Sequence, residues 1–422
     1  MSDKRTEWFS QARLGMFIHW GLYALPARHE WVKHRERTKD EVYDKYFRYF
    51  DPDLYDPKLW AKQAKNAGMK YFVITTKHHE GFCLWDTKYT DFKATNTSYG
   101  KDLIRPMADA FRAEGIRVGF YYSLIDWHHP EFPVDKLHPQ RDDKEYREQH
   151  KNRDVGKYAE YMRNQVRELL TQYGPIDVLW CDFSYPGPDG KGRDDWQSEK
   201  LVKLIRELQP DILLDNRLDL PGSEDFVTPE QVQPHSCPTN EKGEPLVWEA
   251  CQTFSGSWGY HRDEQNWKSI KQLLWMLVDT VSKGGNLLLN VGPTARGEFD
   301  YRAQERLDGL GRWMKQNNRS IYGCGAAQFT PPPDCRYTQN GKRLYLHFMD
   351  WPFGEVHLPG LADLADYAQF LHDGSEVGRT NNKIGDKVGD KEYRKGPPGS
   401  LTLKMPVVKP NVEIPVIEIF LK

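Results

Sequence analysis

Through residue 291 the chain is punctuated by short apolar runs, most of which end on a polar or aromatic side chain. They begin at Leu14 ("LGMFIHWG"), Met69 ("MKYFVITTKHH"), Ile116 ("IRVGFYYS"), Ile176 ("IDVLWCD"), Asp211 ("DILLDNR"), Leu246 ("LVWEAC") and Asn286 ("NLLLNVG"). Unbroken apolar runs of strand length suit strands covered on both faces, as in a parallel sheet. Between several of them the period is helical: Val155, Tyr158, Met162, Val166, Leu169 and Tyr173 recur at spacings of three or four, as do Leu307, Leu310, Trp313 and Met314. "LIRPMADAFRAEG" ends on Gly115 and "SEKLVKLIRELQP" on Pro210, both helix stops. This alternation predicts an α/β chain. With no glycine fingerprint to mark a dinucleotide crevice, the architecture expected is a (β/α)8-like barrel. An eighth strand has no matching run, which leaves the regularity of the barrel open.

After Ile321 the period changes. "TPPPD" (330–334) is a proline-stiffened boundary, and beyond it "KRLYLHF", "EVHLP", "SLTLKM" and "IPVIEIFL" alternate apolar and polar residues, with Gly, Asn and Pro turns between them. The expected organisation is a catalytic barrel over residues 1–330 and a small antiparallel β-sandwich over 335–422. The polar, Gly-rich stretch "TNNKIGDKVGDKEYRKGPPGS" reads as a mobile loop. Residues 127–150, long and charged, read as an exposed excursion from the barrel rim.

In a barrel of this kind the active site is built where the strands end. The apolar runs carry His19, then His78 with His79, then Tyr121, Asp182 and Arg217 at or near their C-terminal ends. Adjacent strand residues point to opposite faces, so His78 and His79 can reach one site only if the strand is ending there. The aromatic "EGFCLWDTKYTDF" that follows them is expected to close the pocket, with Trp85 and Tyr89 as packing or wall residues.

Several common chemistries are excluded by spacing. There is no HxH pair, GxSxG, HExxH, phosphate loop or GxGxxG. Carboxylates among histidines and aromatics suit cleavage of a glycosidic bond, which a retaining enzyme performs with a nucleophilic carboxylate and a second carboxyl about 5 to 5.5 Å away. Asp182 is the nucleophile candidate, because an ionised carboxylate behind Val178, Leu179 and Trp180 needs nearby donors to offset burial. An aspartate capping the next turn would look the same.

Composition narrows the partners. Lys+Arg 59 against Asp+Glu 61 leaves a net charge of -2 over 422 residues, so no global field attracts nucleic acid or an anionic membrane. Fourteen Trp, 22 Tyr and 19 Phe offer faces for sugar rings as well as for a core. The six cysteines show no CxxC and are expected as buried free thiols. No apolar run approaches the roughly 20 residues of a membrane span, and the first residues lack the apolar core of a signal peptide. The expected location is therefore cytoplasmic, or periplasmic or secreted if a leader has been removed.

Taken in order, "FIHWGLYALPA", "HEW", "TTKHHEGFCLWDTKYTDF", "YYSLIDW", "VLWCD", "DNR", "DFVTPE", "PLVWEAC", "SWGY" and "VSKGGNLLLNVGP" make the chain resemble the α-L-fucosidases of glycoside hydrolase family 29, as far as about residue 325. The resemblance implies a retaining exo-hydrolase that releases terminal L-fucose from a fucosylated oligosaccharide through a covalent glycosyl-enzyme, with Asp182 as nucleophile; because two carboxylates suffice and no metal-ligand spacing appears, no cofactor or metal is expected. It also implies a fucose pocket lined by His19, Glu30, Trp31, His78, His79, Tyr121, Trp180, Arg217 and Trp258. For the acid/base it offers two positions. Glu230, in a loop after a strand end, could swing over the leaving group and is favoured, whereas Glu249 lies inside an apolar run and could orient other residues. A hydrolase of a related sugar such as an L-galactoside, and a non-catalytic sugar-binding protein on the same fold, are the alternatives.

Overall fold

The computed structural model describes residues 4–382 and 396–422. Most of the Gly-rich stretch expected to be a mobile loop lies outside the described residues. Seven parallel strands form one curled sheet: β1 (Leu14–Ile18), β2 (Tyr71–Lys77), β3 (Arg117–Ser123), β4 (Val178–Asp182), β5 (Leu213–Leu214), β6 (Glu249–Thr253) and β7 (Asn286–Val291). Their order is β5-β4-β3-β2-β1-β7-β6, so β1 pairs with both β2 and β7 and each apolar run overlaps a strand.

The gap between β5 and β6 is filled by an extended segment, residues 225–231. The amide of Asp225 donates to the Leu214 carbonyl at 2.8 Å. On the other side Val227 donates to Val247, Glu249 to Val227, Cys251 to Pro229 and Gln231 to Cys251, all at 3.0 or 3.1 Å. This is the missing eighth stave. Pro229 has no N–H to share, and Gln231 turns into the left-handed region at φ 54°, so the segment cannot carry a regular ladder on both edges.

Strand alternation divides the packing into two layers. Phe17, Tyr71, Val73, Tyr121, Val178, Trp180, Cys251 and Leu288 fill the barrel interior. Met16, Ile18, Phe72, Ile74 and Leu179 face outward, in one core with residues of the surrounding helices such as Trp60, Phe111, Leu169 and Leu277. The helices over Pro57–Asn66, Ile104–Ala113, Val155–Gln172, Ser198–Leu208, Ile270–Ser282 and Tyr301–Asn317 surround the sheet. Their starts follow from local chemistry: Asp56 and Asp154 accept from amides of the first helical turn, and Ser269 with Gln272 forms a capping box.

Two expectations about the loops are corrected. Residues 127–150 are not simply an exposed excursion, because Trp127, Asp135 and His138 are buried, and Asp135 holds both Lys191 and the Tyr185 hydroxyl. Nor does the loop after His79 close the pocket. It folds back on the barrel wall, where Cys83 bridges to Lys77 and Lys93 and the Trp85 indole donates to Glu168 on the helix 155–172 at 3.1 Å. Trp85 is a packing residue.

Beyond residue 330 two antiparallel sheets face each other. One has the order β10 (Glu355–Pro359), β13 (Ser400–Lys404), β12 (Arg379–Asn381); the other β11 (Ala365–Phe370), β14 (Val416–Leu421), β9 (Arg343–Phe348), β8 (Cys335–Asn340). Leu346, Leu358, Leu401, Leu403, Ile417 and Ile419 form their shared core. Trp313 donates to the Ile414 carbonyl at 2.9 Å, and Arg336 pairs with Asp279 at 2.8 Å, tying these sheets to the barrel helices.

Candidate active site

The C-terminal ends of the barrel strands surround a pocket lined by Phe17, His19, Trp31, His78, His79, Tyr121, Trp180, Asp182, Phe183, Glu230, Cys251 and Trp258. β1 delivers His19, the residues after β2 deliver His78 and His79, β3 delivers Tyr121, β4 delivers Trp180 and Asp182, and the irregular stave delivers Glu230. Phe17, Tyr121 and Trp180, all buried, close the floor, with Tyr121 and Trp180 stacked at 5.7 Å.

Asp182 is the most constrained group. Its Oδ1 accepts from Arg217 Nη1 at 2.9 Å and its Oδ2 from the Tyr121 hydroxyl at 2.7 Å, while His79 Nε2 stands 4.0 Å from Oδ2. Burial pushes its carboxyl above the usual range, the Arg217 guanidinium opposes that shift, and the nearby Glu230 adds to it. The same Arg217 Nη1 lies 2.8 Å from Glu230 Oε2. Because both contacts end on one nitrogen, the two carboxyl oxygens are no further apart than those distances laid end to end. That ceiling is just above the about 5 to 5.5 Å separation of a retaining pair. Arg217 in turn places its guanidinium carbon over the Trp180 indole, 4.5 Å from its centroid.

Glu249 is elsewhere. It opens β6, opposite Asn286 at the start of β7, and does not line the pocket. Its Oε1 accepts from Trp180 Nε1 at 3.2 Å, and its other oxygen accepts from the Tyr71 hydroxyl. Gly15 makes room for that tyrosine, since a Cβ there would sit 2.5 Å from the Tyr71 ring. Burial pushes the Glu249 carboxyl up to about 7. Glu249 is buried, whereas the Glu230 side chain is 40 % exposed.

Burial disfavours the charged form of the three pocket histidines. It pushes His19 down to about 3 and His78 and His79 well below the usual imidazole range. His19 Nδ1 bonds Asn290 Oδ1 at 2.7 Å, and His79 Nδ1 bonds Ser123 Oγ at 2.7 Å, which fixes both rings. His78 Nδ1 is buried without a hydrogen-bond partner among the described residues. Glu30 is buried beside the pocket. Its Oε2 accepts from the amides of Trp258 and Gly259 at 3.2 and 2.8 Å, so it stands behind the wall and anchors the loop that presents Trp258.

Phe17, Phe183 and Cys251 line the pocket without any signal in the sequence beyond their neighbours. Phe183 directly follows Asp182 and has φ 81°, a left-handed backbone that a bulky residue adopts only under constraint. Its ring packs against His79 at 4.9 Å and Trp31 at 5.2 Å. All six cysteines are free, five of them buried. Among the described residues no helix is long and apolar enough to cross a membrane, and no cluster of three or more His, Cys, Asp or Glu could hold a metal ion.

Residues 1–319 match the family model described as alpha-L-fucosidase. Human plasma alpha-L-fucosidase is 32% identical over 398 residues, covering 82% of this chain and 76% of its own length. Among solved structures, alpha-L-fucosidase isoenzyme 1 from Paenibacillus thiaminolyticus superposes with a TM-score of 0.92 at 50% identity, covering 99% of each chain. A Bacteroides thetaiotaomicron GH29 alpha-L-fucosidase, trapped as a covalent intermediate with 2-fluoro-fucosyl fluoride in a glutamate-to-glutamine mutant, superposes at 0.85 with 27% identity, over 100% of this chain and 97% of that one. By this match over three quarters of its length, the chain belongs to the alpha-L-fucosidase family, glycoside hydrolase family 29.

Proposed function

We propose that the protein is a retaining exo-α-L-fucosidase that removes terminal α-L-fucose from glycans by double displacement. One observation carries this reading: a single nitrogen of Arg217 contacts both Asp182 and Glu230, one carboxylate buried and the other at the opening. In this scheme Asp182 attacks the anomeric carbon and forms a β-linked fucosyl-enzyme. Tyr121 and Arg217 orient its carboxylate and offset the burial of its charge. Glu230 leaves Arg217 to protonate the departing oxygen, then takes a proton from the water that releases fucose. It makes no other hydrogen bond to a described residue, so nothing else restrains that movement.

The closed floor suits recognition of a chain end, which is the exo mode. His19, His78 and His79, whose charged form burial disfavours, offer ring nitrogens to sugar hydroxyls, and the unpartnered Nδ1 of His78 is a place for one such contact. Trp31, Trp258 and Phe183 supply the apolar surface that a C5 methyl and the C–H face of the ring require. A non-catalytic sugar-binding protein has no use for two carboxylates joined through one arginine. The test is incubation with 2-deoxy-2-fluorofucosyl fluoride followed by peptide mapping. A fucosyl adduct on the peptide containing Asp182 is expected. Labelling at another residue, or none alongside absent hydrolysis of 4-nitrophenyl α-L-fucoside, overturns the reading.

A further inference from the structure

A second cavity, of about 370 Å³, opens beside the pocket and is lined by Phe183, Ser184, Pro186, Asn216, Arg217 and Asp219. Phe183 lines both cavities, and Arg217 holds the two carboxylates of the first. The second cavity therefore adjoins the fucose pocket, with Phe183 in the walls of both.

Its walls are mixed in character. Phe183 and Pro186 are apolar. In the same lining, Asn216 uses Oδ1 to accept the Thr228 amide at 3.1 Å, and its Nδ2 makes no hydrogen bond to a described residue. Asp219 uses Oδ2 to accept the Arg193 amide at 3.1 Å, and its Oδ1 likewise makes none. One unused donor and one unused acceptor in a lining that also holds Phe183 and Pro186 match a pyranose, which has hydroxyls around its edge and C–H groups on its face. The position of the cavity also fits. Arg217, which lines this cavity, has Nη1 2.8 Å from Glu230 Oε2, so the cavity borders the candidate acid/base.

We infer that this cavity binds the leaving group, and that its occupant is a single sugar ring linked to the fucose. The inference rests on the proposed fucosidase reading. The volume is near the small end of the about 300–1,000 Å³ range of ligand pockets, which suits one ring and not an extended chain. Asn216 and Asp219 are then specificity residues for the sugar that carries the fucose.

The test compares 4-nitrophenyl α-L-fucoside, whose flat leaving group offers no ring hydroxyls, with a panel of fucosyl disaccharides of differing linkage. Two near-isosteric variants remove one contact each. Asn216→Asp keeps the acceptor for Thr228 and loses the donor. Asp219→Asn keeps an acceptor for Arg193, suits the left-handed backbone at φ 51°, and loses the carboxylate. The expected result is that kcat/KM for the best disaccharide, taken relative to the aryl fucoside, falls about tenfold in each variant, mainly through KM. A ratio within about twofold of wild type in either variant overturns the inference, as does a wild-type enzyme that cleaves the aryl fucoside and none of the disaccharides. If wild type cleaves neither class, the fucosidase reading itself has failed.

Discussion

Trp180 separates two carboxyl settings. On the rim side its indole face supports Arg217, which joins Asp182 to Glu230; on the interior side its Nε1 donates to Glu249, which also takes the Tyr71 hydroxyl. Two glutamates that fall 19 positions apart in the sequence thus sit on either side of one ring. A group that gives a proton to a leaving oxygen and takes one from water has to reach both. Glu230 stands at an opening and is held by one arginine contact. Glu249 is enclosed and held by two donors, so it can fix an indole but cannot exchange with substrate. In the proposed scheme, position along the barrel axis decides the role, and residue type does not.

The largest expected effect comes from the rim. Asp182→Ala removes the proposed nucleophile, and kcat on 4-nitrophenyl α-L-fucoside should fall on the order of 10⁴-fold. Azide can enter the space left and should yield the β-fucosyl azide, opposite in anomer to the substrate. A variant with near wild-type turnover would remove Asp182 from the mechanism. Glu230→Ala comes next, by about 10²-fold to 10³-fold on unactivated disaccharides and less on the aryl fucoside, whose leaving group needs little protonation. Because the β-linked fucosyl-enzyme still forms, azide should now give the α-fucosyl azide. If Glu249→Gln shows that azide product and Glu230→Ala does not, the two glutamates have been assigned the wrong way round.

How much of this contrast the sequence carries is uneven. Six of the seven regular strands stand out as apolar runs, because a strand covered on both faces has no polar side to show; β6, EACQT, overlaps only the end of its run. The pair His78 and His79 marks its own strand end. The stave over residues 225–231 is invisible for the opposite reason: its backbone pairs like a strand on one edge, but its composition is that of a turn, with Pro229 among polar residues. Glu230 therefore reads as a loop residue when it is part of the barrel wall. The lining role of Phe183 depends on a φ of 81° that no residue-type preference foretells. The position of Glu30 behind Trp258 depends on two backbone amides from a loop more than two hundred residues away.

Trp180→Phe sharpens the comparison because it acts on both sides at once. An aromatic face for Arg217 remains, so activity should fall by only about tenfold or less, while Glu249 loses its indole donor. A buried acceptor deprived of one partner costs about 1–3 kcal/mol, readable as a lower urea midpoint. Loss of activity with no change in stability would mean that the indole's hydrogen bond to Glu249 contributes little to the fold.

The smallest effect isolates the interior side. Burial holds Glu249 at about 7 against an ordinary 4.5. Below pH 4.5 its carboxyl is protonated in the folded and the unfolded chain, and it favours neither. Between 4.5 and 7 the unfolded chain gives up the proton while the folded one keeps it, so its contribution to stability is lost as pH rises, and above 7 that loss is complete. Over this window the loss is at most about 3 kcal/mol from this one group. Glu30 and Glu80, also pushed up to about 7 by burial, add to the wild-type trend. Glu249→Gln removes the Glu249 share alone and keeps the side chain's shape, so urea midpoints of variant and wild type should diverge in the variant's favour from pH 4.5 to 8. Parallel midpoints across that range would show that Glu249 keeps its ordinary pKa, and that Trp180 does not separate two environments as different as the burial of these side chains implies.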